Sequence, residues 1–135
     1  MTGHQGHPGT GLSARGEKGG RVELESLVRG IGISDVNVVN AFDVATLEAT
    51  IKRCVASNEP SVVISRGACQ LAVRAKNTPY QVDADLCVGC FDCMDLGCPA
   101  LFISGDVVRI DAEACVGCGV CAQVCLQDVI AKVES

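Results

Sequence analysis

Eight cysteines between Cys87 and Cys125, set out as two near-copies, constrain this chain more than any other feature. The first copy reads CVGCFDCMDLGCPA from Cys87, and the second reads CVGCGVCAQVCLQ from Cys115. At an offset of 28, VDADLCVGCFDC lies over IDAEACVGCGVC: Val82, Asp83, Cys87, Cys90 and Cys93 match Ile110, Asp111, Cys115, Cys118 and Cys121. The fourth cysteines, Cys98 and Cys125, are offset by 27, because the first copy holds one extra residue within MDLG.

This spacing suits a 4Fe–4S cube, whose four iron corners each take one thiolate. Three cysteines at two-residue gaps let one tight loop reach three corners, and the fourth ligand must come from elsewhere in the chain. In the two-cluster bacterial pattern C-x2-C-x2-C-x3-C-P, the last cysteine serves the other cluster. Applied here, Cys87, Cys90, Cys93 and Cys125 hold one cube, and Cys98, Cys115, Cys118 and Cys121 hold a second. Such crossing couples cluster loading to folding. Gly89, Gly117 and Gly119 allow backbone angles that bring amides close to sulfur. Val88, Val116, Val120, Val124 and Ile130 are expected to shield the inorganic core.

Both copies depart from the pattern. The first has four residues before Cys98, expected to bulge a loop, and the second has Leu126 in place of proline, expected to alter packing but not ligation. Zinc sites usually pair C-x2-C units, and disulfides belong to secreted chains, so both fit this arrangement less well. Cys54 and Cys69 stand outside the pattern and read as buried, unreactive thiols.

Charge follows the same division. Residues 1–79 carry nine Lys and Arg against seven Asp and Glu, whereas residues 80–135 carry two against nine. The missing basic patch argues against nucleic acid as a partner. A solvated surface and a docking face for a basic partner both fit the acidity. No apolar run approaches the about 20 residues of a membrane-spanning helix, so no membrane association is expected. The N-terminal stretch has no apolar segment of the secretory kind, and a cytoplasmic protein is expected.

Ahead of the cysteines, residues 1–20 contain seven glycines and read as loop. Val22, Leu24, Leu27, Val28 and Ile31 are spaced for an amphipathic helix ending near Gly30 or Gly32. Val36 to Phe42 reads as a strand. Asp43 can cap a helix with Val44, Leu47, Ile51 and Val55 along one face, and Ser61 to Ser65 is a second strand. Short continuous apolar strands around a helix imply a parallel sheet covered on both faces and a crossover connection. Two strands and two helices make too small a sheet to stand alone, with open edges. Another polypeptide is therefore expected to complete it, or the chain to be part of a longer one. The division is 1–74, a linker at 75–79, and 80–135.

Residues 80–133 resemble bacterial two-cluster ferredoxin domains. The segments MTGHQGHPGTG, ARGEKGG, VELESLVRGIGI, PSVVISRGAC and NTPYQVDADLCVGC, in that order, make the whole chain similar to the C-terminal end of the alpha subunit of indolepyruvate:ferredoxin oxidoreductases. Those enzymes belong to the thiamine-diphosphate-dependent 2-oxoacid:ferredoxin oxidoreductases. The resemblance implies an α/β remnant, αβαβ with the parallel strands of a thiamine-diphosphate-binding domain. An α+β two-cluster ferredoxin-like domain with an internal pseudo-twofold repeat follows it. It implies oxidative decarboxylation of arylpyruvates to acyl-CoA with coenzyme A, electrons passing through two clusters to external ferredoxin. The implied partners are the rest of the alpha subunit and a beta subunit. Thr2, Gly3, His4 and Gln5 would lie near the diphosphate, although the Gly-Asp-Gly motif that binds Mg²⁺ and thiamine diphosphate is absent. The chain on this reading is a fragment, a split-gene product or a truncated frame, inactive alone. A freestanding ferredoxin-like carrier and a subunit completing a split thiamine enzyme are the alternatives.

Overall fold

The structure, a computed structural model, describes residues 5–69 and 77–133. It divides into two compact units, Met1–Arg74 and Ala75–Ser135. Thr2, Gly3 and His4 lie outside the described residues, and Gln5 is exposed.

In the first unit, the glycine-rich stretch read as loop holds a short 3-10 turn at Pro8–Thr10. His7 caps it, its Nδ1 accepting from the Gly9 amide at 3.1 Å. Helix α1 spans Leu24–Gly30, and Gly32 beyond it adopts a φ of 98° that suits glycine. Strand β1 (Asp35–Asn40) leads into helix α2 (Val44–Ala56) and then strand β2 (Ser61–Arg66). Asp43 caps α2 by accepting from the Thr46 amide at 3.0 Å, which satisfies one of the helix's unpaired donors. Strands β1 and β2 run parallel, with Asp35 opposite Ser61 and Asn40 opposite Arg66.

Along the α2 stripe Val44 and Leu47 are half-buried, whereas Ile51 and Val55 are exposed, Val55 at 80%. Thr50 and Cys54 are the other half-buried positions of the helix, and Cys54 sits against Asn37 of β1. One expectation is corrected here: the sheet is not covered on both faces, since Val38 is 43% exposed and Val39 is the one buried apolar residue among those described in this unit.

The second unit is built from two antiparallel ribbons. Strand β3 (Tyr80–Val82) pairs with β6 (Ile130–Lys132), and β4 (Leu101–Ser104) pairs with β5 (Val107–Ile110). The first pairing joins the start of one cysteine copy to the end of the other. Between the ribbons lie a 3-10 turn at Asp92–Leu96 and the short helix α3 (Val120–Val124). Cys93, Leu101, Val108, Cys121 and Ile130 form its buried centre, with Val108 only 1% exposed. No helix among the described residues is long and apolar enough to cross a membrane.

Candidate metal centres

Each cysteine copy opens with the same device. Asp83 Oδ1 accepts from the Asp85 amide at 3.0 Å, and Asp111 Oδ1 accepts from the Glu113 amide at 2.9 Å. The carbonyls of the same two aspartates accept from Cys87 and Cys115, at 3.0 and 2.9 Å. These side-chain turns stop the preceding strand and aim the first thiol of each triplet. The matched aspartates were visible in the repeat; their structural task was not.

Backbone bonds then bring in the lone cysteines. The Asp83 amide donates to Val129 O and the Asp111 amide to Ala100 O, each at 2.8 Å. Val129 lies just beyond Cys125, and Ala100 just beyond Cys98. Each triplet is thereby tied to the segment carrying the other copy's fourth thiol. Cys87, Cys90, Cys93 and Cys125 line one cavity. Cys98, Cys115, Cys118 and Cys121 line another.

The chemistry of the thiols agrees with this grouping. Burial pushes the Cys93 thiol up from its ordinary value, and Cys125, Cys90 and Cys87 add to the shift. Burial pushes Cys121 up to about 11, with Cys118, Cys115 and Cys98 adding. A buried thiolate is costly without compensating charge, so four converging thiols call for a cationic guest. Among the described residues, no three or more His, Cys, Asp or Glu side chains close to the spacing of a single metal ion.

The loops around the thiols require glycine at two places. A Cβ on Gly89 would collide with the carbonyl oxygen of Asp106, and one on Gly117 with that of Thr78; both residues have positive φ. At the next matched position the copies differ. Gly119 has a φ of 75° and Phe91 one of 63°. A left-handed phenylalanine costs about 1–2 kcal/mol, and here it sets an aromatic ring on the first cavity. The second cavity receives Tyr80 instead, whose amide donates to Cys115 Sγ at 3.5 Å. Asn77, in the stretch read as a linker, donates from Nδ2 to Val116 O at 3.1 Å.

Other expectations change. The extra residue of the first copy forms no bulge; it is taken up in the 3-10 turn, which Gly97 ends in the left-handed region. Val88 lines the first cavity yet is 65% exposed, so it shields only one side. Leu126 is 79% exposed and packs against little. Cys69 is exposed rather than buried, because β2 has already ended at Arg66. Cys54 is half-buried beside Asn37 and Arg53.

Comparison with known proteins was made against this geometry. Residues 108–130, holding the second triplet and Cys125, match the family model of the 4Fe–4S binding domain. Across the whole chain, indolepyruvate oxidoreductase subunit IorA of Archaeoglobus fulgidus is 39% identical. The chain is similar to a part of the IorA subunit. IorA of Pyrococcus horikoshii is also 39% identical over 98% of the chain, and IorA of Methanothermobacter thermautotrophicus 36% identical over 93%. The chain spans only 21 to 23% of the length of these IorA relatives. No solved structure matches it.

Proposed function

We propose that this chain is the electron-transfer portion of an indolepyruvate oxidoreductase and that a 4Fe–4S cube sits in each thiol-lined cavity. Cys87, Cys90, Cys93 and Cys125 ligate one cube; Cys98, Cys115, Cys118 and Cys121 ligate the other. The observation that carries this reading is the lining of each cavity by three thiols of one copy and the lone thiol of its neighbour. A bound cube takes up and passes on single electrons.

The residues around each cavity have distinct tasks. The Asp83 and Asp111 turns hold the first thiols in place. The Tyr80 amide, donating to Cys115 Sγ, favours the more negative sulfur of the reduced state and so raises the potential on that side. Val108 and Ile130 keep water from the inner wall of the first cavity. Ligation requires deprotonated thiols, so loading releases protons.

The relatives' names and the family resemblance supply the larger setting. In the complete enzyme an arylpyruvate is oxidatively decarboxylated to an acyl-CoA, with thiamine diphosphate and Mg²⁺ held by the rest of the alpha subunit. A beta subunit completes the assembly, and external ferredoxin accepts the electrons. Similarity to IorA across both units supports a subunit role over a freestanding carrier with a vestigial extension.

The test is metal analysis of the full chain purified without air. About eight irons and eight acid-labile sulfides per chain, four for each cube, are expected. A loaded, folded chain holding zinc, or only four irons, overturns the reading.

A further inference from the structure

The two copies differ in what walls their cavities. At the offset of 28, Tyr80 matches Val108, Phe91 matches Gly119 and Asp92 matches Val120. Val108, Phe91 and Asp92 line the first cavity; Tyr80, Gly119 and Val120 line the second. Each cavity therefore holds an aromatic ring, taken from a different place in the copy. A Cβ on Gly119 would lie 2.7 Å from the Tyr80 hydroxyl, so the glycine makes room for the tyrosine. The exchange replaces an apolar ring beside a carboxylate with a phenol beside an apolar side chain.

Cations divide in the same way. Residues 80–135 carry two, Arg109 and Lys132. Lys132 stands directly opposite Tyr80 in the β3–β6 ribbon and so shares its face, with Nζ 6.0 Å from the ring centroid. In the other ribbon the residue opposite Val108 is Ile103. Arg109 follows Val108 in β5 and falls on the other face, opposite Phe102. Some acids cancel between the copies, since Asp83 matches Asp111 and Asp85 matches Glu113. The unmatched ones gather at the first cavity. Asp92 lines it, Asp106 abuts Gly89 through its carbonyl, and the Asp128 amide donates to Cys125 O. Beside the second stands Asp95, next to the lining Leu96.

Hydrogen bonding adds to the contrast. Backbone hydrogen bonds favour the thiolate of both buried cysteines, Cys93 and Cys121, and do not separate the copies. The Tyr80 amide does: it donates to Cys115 Sγ at 3.5 Å, and among the described residues the matched Cys87 thiol receives no such bond. Asn77 and Thr78 hold this stretch on the second loop, through Val116 O and against Gly117. A four-thiolate cube gains negative charge when reduced, so nearby cations and N–H donors raise its potential and nearby carboxylates lower it.

We infer that the two cubes are held at different potentials, the second taking an electron before the first, and that Lys132 and the Asn77–Tyr80 stretch set the difference against Asp92. This rests on the two-cube reading and adds an order between the cubes. Lys132 is a tuning residue that acts through its charge and not as a ligand. Lys132 and Asp92 are both exposed, so each acts with the strength of a screened surface charge.

A redox titration of the full chain without air, followed by electron paramagnetic resonance, tests this. The parent should show two separate one-electron steps. As dithionite is added, the Tyr80 ring proton resonances should shift before those of Phe91. Lys132→Met should move the upper step down, cutting the reduced-to-oxidised ratio at the parent's upper midpoint about twofold to fivefold, the effect of one exposed charge. Lys132→Arg should leave that step in place. Asp92→Asn should move the lower step up and spare the upper. A shared midpoint in the fully loaded parent, Phe91 resonances shifting first, or an upper step unmoved by Lys132→Met would each overturn the inference. Iron and sulfide content measured on the same samples keeps the readings apart. Iron well short of about eight per folded parent chain sinks the two-cube reading, whereas full loading with equal midpoints sinks only the order.

Discussion

Residues 5–69 and 77–133 are stretches of similar length with opposite interiors. The first has helices and a parallel strand pair in regular form, yet one buried apolar residue, Val39. The second has only short ribbons and turns, yet buries Cys93, Ala100, Leu101, Val108, Cys121 and Ile130. Regular secondary structure therefore does not measure how closed a unit is. The second unit closes because the chain returns twice across itself, at β3–β6 and β4–β5, and because its thiols converge. The first closes less because its strand pair shares out its apolar side chains with no layer over Val38, Ile51 or Val55.

The largest expected effect separates the two units outright. Stripping iron with a chelator under reducing conditions should abolish amide-exchange protection across residues 80–133, since thiol clusters that bind metal fold with it. Protection of β1, α2 and β2 should be unchanged. Equal loss in both units would break the contrast.

Core truncation should follow the same division on a smaller scale. Leu101→Ala, at a position 6% exposed, should destabilise the second unit by about 2–5 kcal/mol in denaturant unfolding. Val55→Ala, at an 80% exposed position, should change the first unit by no more than about 0.5 kcal/mol. A large cost at Val55 would mean that the α2 face is covered in solution, and would sharpen the search for what covers it.

The smallest effect is a pH dependence confined to the first unit. Hydrogen bonds from Arg53, with Ser61 and Asn37 contributing, hold the Asp35 carboxyl down to about 2 from an ordinary 3.8. A depressed pKa stabilises the folded state above the unfolded value. The contribution is thus complete above about pH 3.8 and is lost as pH falls through about 2. Thermal melting of the first unit should soften over that window, and Asp35→Asn should remove the dependence without touching the second unit.

The sequence carried the local structure well where spacing and capping decide it. Asp43 caps α2, and the four elements of the first unit lie within about two residues of their expected ends. Phe42 drops out of β1 because its amide turns back to Asn40 Oδ1, which starts the turn into α2. The α2 stripe left its burial open, because periodicity tells which residues share a face, not what stands opposite. Phe91 was hidden for a different reason: nothing in a phenylalanine announces a left-handed backbone, and the one clue was Gly119 at the matched position. Repeat alignment exposed Asp83 and Asp111 as a pair, but only the hydrogen bonds gave them a task. The joint lining of each cavity depends on the chain returning past both copies, which is a property of the ribbons and not of any single spacing.

The central claim is that neither copy completes a cube by itself. Electron paramagnetic resonance of dithionite-reduced Cys98→Ala, prepared without air beside the parent chain, tests it most directly. Loss or conversion of the signal from the cube on Cys115, Cys118 and Cys121 is expected, with the cube on Cys87, Cys90, Cys93 and Cys125 intact. Damage confined to the cube on Cys87, Cys90 and Cys93 would contradict the account.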